Sequence, residues 1–417
     1  MPQFKSSFLI NAQQRGFIYQ CTDLVNLDKL LCEKSVSAYI GFDCTAPSLH
    51  AGSLISIMLL RLLQACGHKP IILMGGGTTK IGDPSGKEES RKLIDQRTIN
   101  KNMRDIKKNF SSFLKFGDGP TDATIINNAD WLDKLKYIPF LRDYGQHFSI
   151  NRMINFDSVK LRLKRQQTLS FLEFNYMIFQ AYDFLELSRR MDCQLQMGGS
   201  DQWGNIVNGI ELSRRADNRE IFGLTTPLLT SASGVKMGKT AAGAIWLNKE
   251  LFSSFDYWQY WRNAEDKDVF KFFKLFTDLS LEKIEEIEKD SLISINDAKK
   301  LLATEITKLC HGEKEAQACK LSAESIFEEE GNVSKLPRVT FSKNRLKKGV
   351  PAFLLFKEVG LVSSGAEARR LIKGGGGKIN DQLINEETQL ITIAALDTDG
   401  FLKLSAGKKR HLLIELN

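Results

Sequence analysis

The sequence predicts an α/β protein: a doubly wound parallel sheet, then an α-helical region, then a small α+β module. Three observations carry this. Apolar runs bounded by glycines alternate with helical periodicity from Ser35 to about Ile245, the pattern of strand–helix–strand units. Strand signals stop between Tyr257 and Glu330, where one helical pattern follows another. Residues 341–417 hold 13 lysines and arginines against 8 acidic residues, so this last stretch carries most of the +8 net charge.

Residues 1–32 read as a helical lead-in. Strands are expected at Val36–Phe42, Pro70–Met74, Thr124–Asn128, Cys193–Met197 and Phe222–Leu229, each a short apolar run ended by turn residues. Helical spacing lies between them, as at Leu54–Cys66 and Leu169–Leu187. Further helices are expected at Val269–Phe276, Leu281–Lys289, Ile295–Leu309 and Glu313–Glu329. The polar, basic stretch EEGNVSKLPRVTFSKNRLKKG reads as a linker. The expected domains are therefore 1–246, 247–330 and 350–417, with 331–349 joining the last two. Such a sheet binds ligands beyond the carboxyl ends of its strands.

The chain of 417 residues is 42% hydrophobic and 26% charged, an ordinary globular composition. No apolar run approaches the roughly 20 residues of a membrane span, and the apolar patch near the N-terminus is too short for a signal peptide. The seven cysteines (21, 32, 44, 66, 193, 310 and 319) are scattered, with no CxxC pair and no zinc spacing. They read as reduced thiols. A soluble, cytoplasmic protein without a bound metal is expected.

Five segments could carry chemistry. In YIGFDCTAPSLHAGSL, a strand runs into His50-Ala51-Gly52-Ser53 and an apolar helix. The turn either holds phosphates or is an ordinary corner. MGGGTTKIGDPSGKEESR follows a strand but fails the P-loop pattern: Glu88 follows Lys87 where Ser or Thr is required. It remains a turn-rich loop carrying Asp83, Lys87 and Arg91. In TLSFLEFNYMIFQAYDFLEL, Tyr176, Gln180 and Asp183 fall within a helical sector of roughly 60°. They form either a solvated face or the polar floor of an apolar pocket. In QMGGSDQWGN, Gly198 and Gly199 precede Ser200 and Asp201, which either cap a helix or approach a ligand. In GVKMGKTAAGAIWL, Lys236 and Lys239 sit on a glycine-containing loop. Lysines so placed are usually solvated, but they can also close over phosphates and stabilise a departing pyrophosphate.

Together these segments resemble the bacterial-type tyrosyl-tRNA synthetases, of the class I aminoacyl-tRNA synthetases, over essentially the whole chain. The class signatures are matched by His50-Ala51-Gly52-Ser53 and Lys236-Met237-Gly238-Lys239-Thr240, in order, with GDPSGK, FNYMIFQAYDF and GGSDQWGN between them. The resemblance implies a Rossmann-like catalytic domain, an anticodon-binding helical domain and an S4-like RNA-binding domain. It implies that L-tyrosine is activated with ATP, Mg²⁺ being the counterion of ATP, and then passed to tRNA(Tyr). His50, Thr45, Lys236, Lys239 and Thr240 would contact the transferring phosphates, with Lys87 and Arg91 adding charge. Tyr39 and Asp183 would bind the substrate phenol. Asp83, Tyr176 and Gln180 would bind its ammonium group, with Gln196 nearby. Gly41, Asp43, Gly52, Ser53, Gly198, Gly199, Asp201 and Gln202, together with both lysines, would line the ATP site. No Ser/His/Asp or Cys/His arrangement is needed, since the substrate carboxylate is itself the nucleophile.

Two departures stand out: Ser53 replaces the family's usual second histidine, and Gly238 replaces the serine of the class consensus KMSKS. In LVSSGAEARRLIKGGGGKIN, Ser363 or Ser364 can cap a helix presenting Arg369, Arg370 and Lys373 to RNA. The resemblance also implies a homodimer, with the helical residues near Phe140 and Phe171 as interface candidates.

Overall fold

The computed structural model describes residues 3–85, 93–232, 234, 237–240, 243–331, 336–397, 400–407 and 410–417. The chain divides into two compact units, Met1–Lys320 and Leu321–Asn417.

The first unit is built on six strands: β1 (Gln20–Cys21), β2 (Ser37–Asp43), β3 (Lys69–Gly75), β4 (Thr124–Asn127), β5 (Cys193–Gly199) and β6 (Phe222–Thr226). Their order is β1-β6-β5-β2-β3-β4. β2 to β6 pair in parallel. β1 runs antiparallel to β6 and makes the sheet mixed. The expected parallel sheet thus gains one antiparallel edge strand. A two-residue strand inside a helical lead-in has no periodicity to reveal it. The strand expected at Phe222–Leu229 also stops at Thr226, where Pro227 can donate no ladder hydrogen bond.

The central strand β3 is buried almost throughout, as in a parallel sheet covered on both faces. In β3, Pro70 to Gly75 are all buried. The helix Leu54–Ala65 buries Leu54, Ile55, Ile57, Met58, Leu59, Leu60 and Leu63. The helix Phe171–Met191 opens with a capping box, in which Ser170 and Glu173 satisfy each other's backbone amides. Phe140 is buried against Phe179 and Tyr182 of that helix, whereas Phe171 is 69% exposed.

The helices Ser254–Arg262, Val269–Phe276, Leu281–Lys289 and Ile295–His311 belong to the same compact unit as the sheet. Trp261 packs on Phe272 and Phe276. The Arg15 guanidinium donates to the carbonyls of Lys274 (2.9 Å), Thr277 (3.1 Å) and Leu279 (2.7 Å). Arg61 of the sheet-covering helix pairs with Asp278. The expected boundary at 246/247 is thus crossed by charged hydrogen bonds and separates no compact units. Among the described residues, no helix is long and apolar enough to cross a membrane.

The second unit has its own sheet and core. A first hairpin of the chain, β7 (Lys239–Thr240) and β8 (Gly243–Ala244), precedes it in the first unit. Its strands are β9 (Arg338–Phe341), β10 (Val350–Pro351), β11 (Gly377–Ile379), β12 (Gln382–Leu383), β13 (Leu390–Ile391), β14 (Leu402–Ala406) and β15 (Arg410–Leu416). Five of them form a sheet in the order β12-β11-β14-β15-β9. Leu346, Leu355, Phe356, Ile372, Leu404 and Ile414 lie in its core. The expected linker 331–349 is corrected here. β9 pairs in parallel with β15, and the helix Lys343–Lys348 buries Leu346. Lysines and arginines between Val339, Phe341 and Leu346 dilute the apolar pattern that would mark these elements. Residues 332–335 lie outside the described residues.

Arg15→Ala removes a guanidinium that satisfies three carbonyls. It should lower the stability of the first unit by about 1–3 kcal/mol, seen as a lower urea midpoint at unchanged slope.

Candidate active site

At the carboxyl ends of β2, β3, β5 and β6 lies a cleft of about 1000 Å³. It is placed where an open parallel sheet offers a crevice. β2 and its following loop contribute Tyr39, Gly41, Asp43 and Thr45; the turn after them contributes His50, Gly52 and Ser53. Asp83 enters from the loop after β3, and Tyr176, Gln180 and Asp183 from the helix Phe171–Met191. β5 and the turn after it contribute Gln196, Gly198, Gly199, Asp201 and Gln202. The structure brings all these sequence-predicted residues together. Lys87, Arg91 and Lys236 lie outside the described residues. Lys239 and Thr240 are described as β7 backbone only.

The floor of the cleft is polar and buried. Asp183 is 2% exposed and accepts from Asn128 Nδ2 at 2.9 Å and from the Trp131 indole at 2.7 Å. Burial, the largest influence, raises its carboxyl, these two hydrogen bonds lower it, and Asp43 and Glu186 add to the rise; together they place it at about 8. Tyr39, 1% exposed, feels the charge of Asp183, and its hydroxyl is buried with no hydrogen-bond partner. Burial, then Asp183, holds that phenol well above its ordinary range. Its ring is fixed edge-on against Phe184 at 5.3 Å. The Gln196 carbonyl oxygen is buried and unpartnered too. Buried polar atoms without partners cost free energy. This floor therefore favours a ligand bearing its own donors and acceptors.

A hydrogen-bonded chain joins the floor to the signature strand. Tyr176 donates to Asp43 Oδ2 at 3.0 Å, and the Thr78 hydroxyl donates to Asp43 Oδ1 at 2.8 Å. Asn128 donates to Thr78 at 3.0 Å, and its carbonyl oxygen accepts from the Gly77 amide at 2.7 Å. On the facing side, Gln202 donates to Asp83 Oδ2 at 2.9 Å. Asn205 donates to Gln180 at 2.9 Å and to Gln202 at 3.0 Å. Thr78, Asn128, Trp131 and Asn205 were not singled out from sequence. Asn128 and Trp131 were detectable in principle, as a polar residue ending an apolar strand and an aromatic three positions on.

The turn Ala51–Ser53 is ordered by its own histidine. His50 Nδ1 accepts from the Gly52 amide at 3.0 Å and caps the turn Ala51–Ser53. The lysine loop packs directly on this turn. A Cβ at Gly238 would lie 2.5 Å from the Gly52 nitrogen and 2.7 Å from His50 Nδ1, and Gly238 has φ of 90°. Both facts require glycine here. They account for the departure from the KMSKS consensus: the serine side chain has no room in this packing.

Comparison with known proteins agrees with this geometry. The family tRNA synthetases class I (W and Y) matches residues 32–328. The tyrosine–tRNA ligase of Rhodospirillum rubrum is 56% identical over 412 residues, covering 99% of this chain and 98% of its own. That of Rhodopseudomonas palustris is 55% identical over 417 residues, covering 100% of both. The chain belongs to the bacterial-type tyrosyl-tRNA synthetases. Among solved structures, a C-terminally truncated mitochondrial tyrosyl-tRNA synthetase of Aspergillus nidulans matches this synthetase with a TM-score of 0.70 at 30% identity. It covers 78% of this chain and 95% of that one. The tyrosyl-tRNA synthetase of Archaeoglobus fulgidus, at 17% identity and a TM-score of 0.55, shares the fold.

In the second unit of this synthetase, the helix Gly365–Lys373 is capped by Ser364 rather than Ser363. Arg369 stacks over Phe353 at 3.9 Å, Lys373 pairs with Glu387 at 3.1 Å, and Arg370 is exposed.

Asp183 has a pH signature. An unfolded Asp ionises near 3.8, the folded one near 8. Between these values the folded chain holds a proton that the unfolded chain has released, so its contribution to stability falls as pH rises. Asp183→Asn cannot ionise. The stability of the natural chain relative to this variant should therefore decline from pH 5 to pH 8, measured as the difference between their urea midpoints.

Proposed function

We propose that this synthetase activates L-tyrosine with ATP and transfers it to the 3′ end of tRNA(Tyr). The observation that carries the tyrosine reading is the floor of the cleft. An unpartnered Tyr39 hydroxyl and the buried Asp183 lie where a substrate phenol can donate to one and accept from the other. Phenylalanine would leave the buried Tyr39 hydroxyl unpaired and offer Asp183 nothing beyond its bonds from Asn128 and Trp131, which is the stronger form of discrimination. Tryptophan lacks the matching hydroxyl. Asp83, Tyr176 and Gln180 would hold the ammonium group, with Gln196 nearby.

In the first step an oxygen of the tyrosine carboxylate attacks the α-phosphorus of ATP, and the bond to pyrophosphate breaks. The chain has only to align the reactants and stabilise the developing charge. Thr45 and His50 would contact the phosphates. Lys236, Lys239 and Thr240, with Lys87 and Arg91, would neutralise the leaving pyrophosphate, and Mg²⁺ would arrive as the counterion of ATP. Asp201 would accept hydrogen bonds from the ribose. Gly41, Asp43, Gly52, Ser53, Gly198, Gly199 and Gln202 would line the adenosine side. In the second step a ribose hydroxyl of the tRNA attacks the adenylate carbonyl and AMP leaves. The helical region 247–330 would read the anticodon end. The second unit would act as an S4-like RNA-binding domain through Arg369, Arg370 and Lys373. A homodimer in the cytoplasm completes the reading.

Pyrophosphate exchange into ATP, without tRNA, tests the first step: tyrosine should support it, and phenylalanine and tryptophan should not. Exchange with none of the three would leave an RNA-binding protein that has lost catalysis. Tyr39→Phe should lower kcat/KM for tyrosine by about ten-fold and narrow the preference over phenylalanine.

Arg370→Ala should weaken tRNA binding in a filter assay. It should also reduce the slope of log affinity against log salt by about one. An unchanged slope would remove Arg370 from the RNA surface.

A further inference from the structure

Between the two signature segments runs the stretch Ile245–Trp246–Leu247. The Ile245 amide donates to the Gly238 carbonyl at 3.0 Å, and the Ile245 carbonyl accepts from the Ala51 amide at 2.8 Å. Trp246 forms an antiparallel bridge with His50. The Leu247 amide donates to the Leu49 carbonyl at 2.9 Å. Three residues thus join the His50 turn to the lysine loop. They are not part of the large sheet, so their register depends on what holds their ends.

The far end is held by the helix Ile295–His311. The Leu247 carbonyl accepts from His311 Nε2 at 2.9 Å, with the Cys310 thiol 3.5 Å away. A carbonyl can only accept, so Nε2 carries the proton. Nδ1 is left as an acceptor, buried and without a partner. The ring packs beside Tyr257, with centroids 4.9 Å apart. Glu315 and Lys249 face it and pair with each other at 3.2 Å. Burial, the largest influence, keeps the imidazole below its ordinary range and therefore neutral. From the neighbouring helix Ser254–Arg262, the Tyr260 hydroxyl lies against the Gly238 amide. The helical region thus reaches both ends of the same device.

We propose that His311 is a positioning residue for adenylate formation, fixing the Leu247 carbonyl and through it the seating of the His50 turn against the lysine loop. His311 need touch no substrate. Without its N–H, the carbonyl keeps only a weak thiol donor, and the three-residue bridge loses its anchor. Small displacements of phosphate-binding groups cost much rate. The tyrosine floor is built on β2, β5 and the helix Phe171–Met191 instead, so tyrosine binding should not respond. This proposal rests on the ligase reading above.

His311→Phe keeps a ring against Tyr257 but has no N–H, whereas His311→Gln keeps a donor. The Phe variant should exchange pyrophosphate about 10- to 100-fold more slowly, with tyrosine affinity by equilibrium dialysis unchanged. The Gln variant should recover most of the loss. His311→Met is the second donor-free variant, read in the same way if the Phe variant does not fold. Three results would overturn the proposal: unaltered exchange in a donor-free variant, tyrosine affinity falling in step with the rate, or no recovery with Gln. No exchange in the natural chain would overturn the ligase reading, and this proposal with it.

Discussion

The parallel pairing of β2 with β3 runs without interruption from Ser37 opposite Lys69 to Asp43 opposite Gly75. Because the two strands end together, the loops that leave them open at the same level. Asp43 then lies beside Thr78, and the turn with His50 starts a few residues further on. A slip of one residue would turn Tyr39 and Asp43 to the opposite face of the sheet. The buried apolar runs on both strands hold this register, so the core of the sheet and the geometry of the cleft are the same constraint.

The cleft is demanding on stability because its floor is polar. Asp183 is sunk among Asn128, Trp131 and Tyr39, and burial works against its charge. The surrounding helix and sheet must hold these groups in place while they wait for a partner. This is how a site rejects a ligand that lacks the right hydroxyl: the cost of unpaired buried groups is already built into the fold. Burial makes that cost high, since Tyr39 and Asp183 are almost wholly out of contact with solvent.

Where the His50 turn meets the lysine loop, backbone contacts add to the cap made by the His50 ring. Gly52 and Gly238 let two chain segments touch. The stretch Ile245–Leu247 binds both, and the helices that follow hold its ends. Arg15 and Arg61 tie the same helices to the rest of the unit. What reads along the chain as a separate helical domain is therefore mechanically continuous with the signature turn.

The sequence alone determined the repeating strands and helices of the first unit, since their apolar periods are long and clean. It also determined the membership of the cleft, because His50, Tyr176, Gln180, Asp183 and Asp201 belong to motifs whose order and spacing are specific. Only the tertiary structure revealed β1, whose two residues carry no period, and β9 with the helix Lys343–Lys348, whose few apolar residues are hidden among basic ones. It alone supplied Asn128, Trp131 and Thr78 as partners of the carboxylates. Hydrogen bonds between residues 35 to 55 positions apart leave no trace in local pattern. The same holds for His311 and Leu247, 64 positions apart. Side-chain type and spacing record what a segment can become, whereas the partner of a buried polar atom is decided by which distant segments the core brings within 3 Å of it.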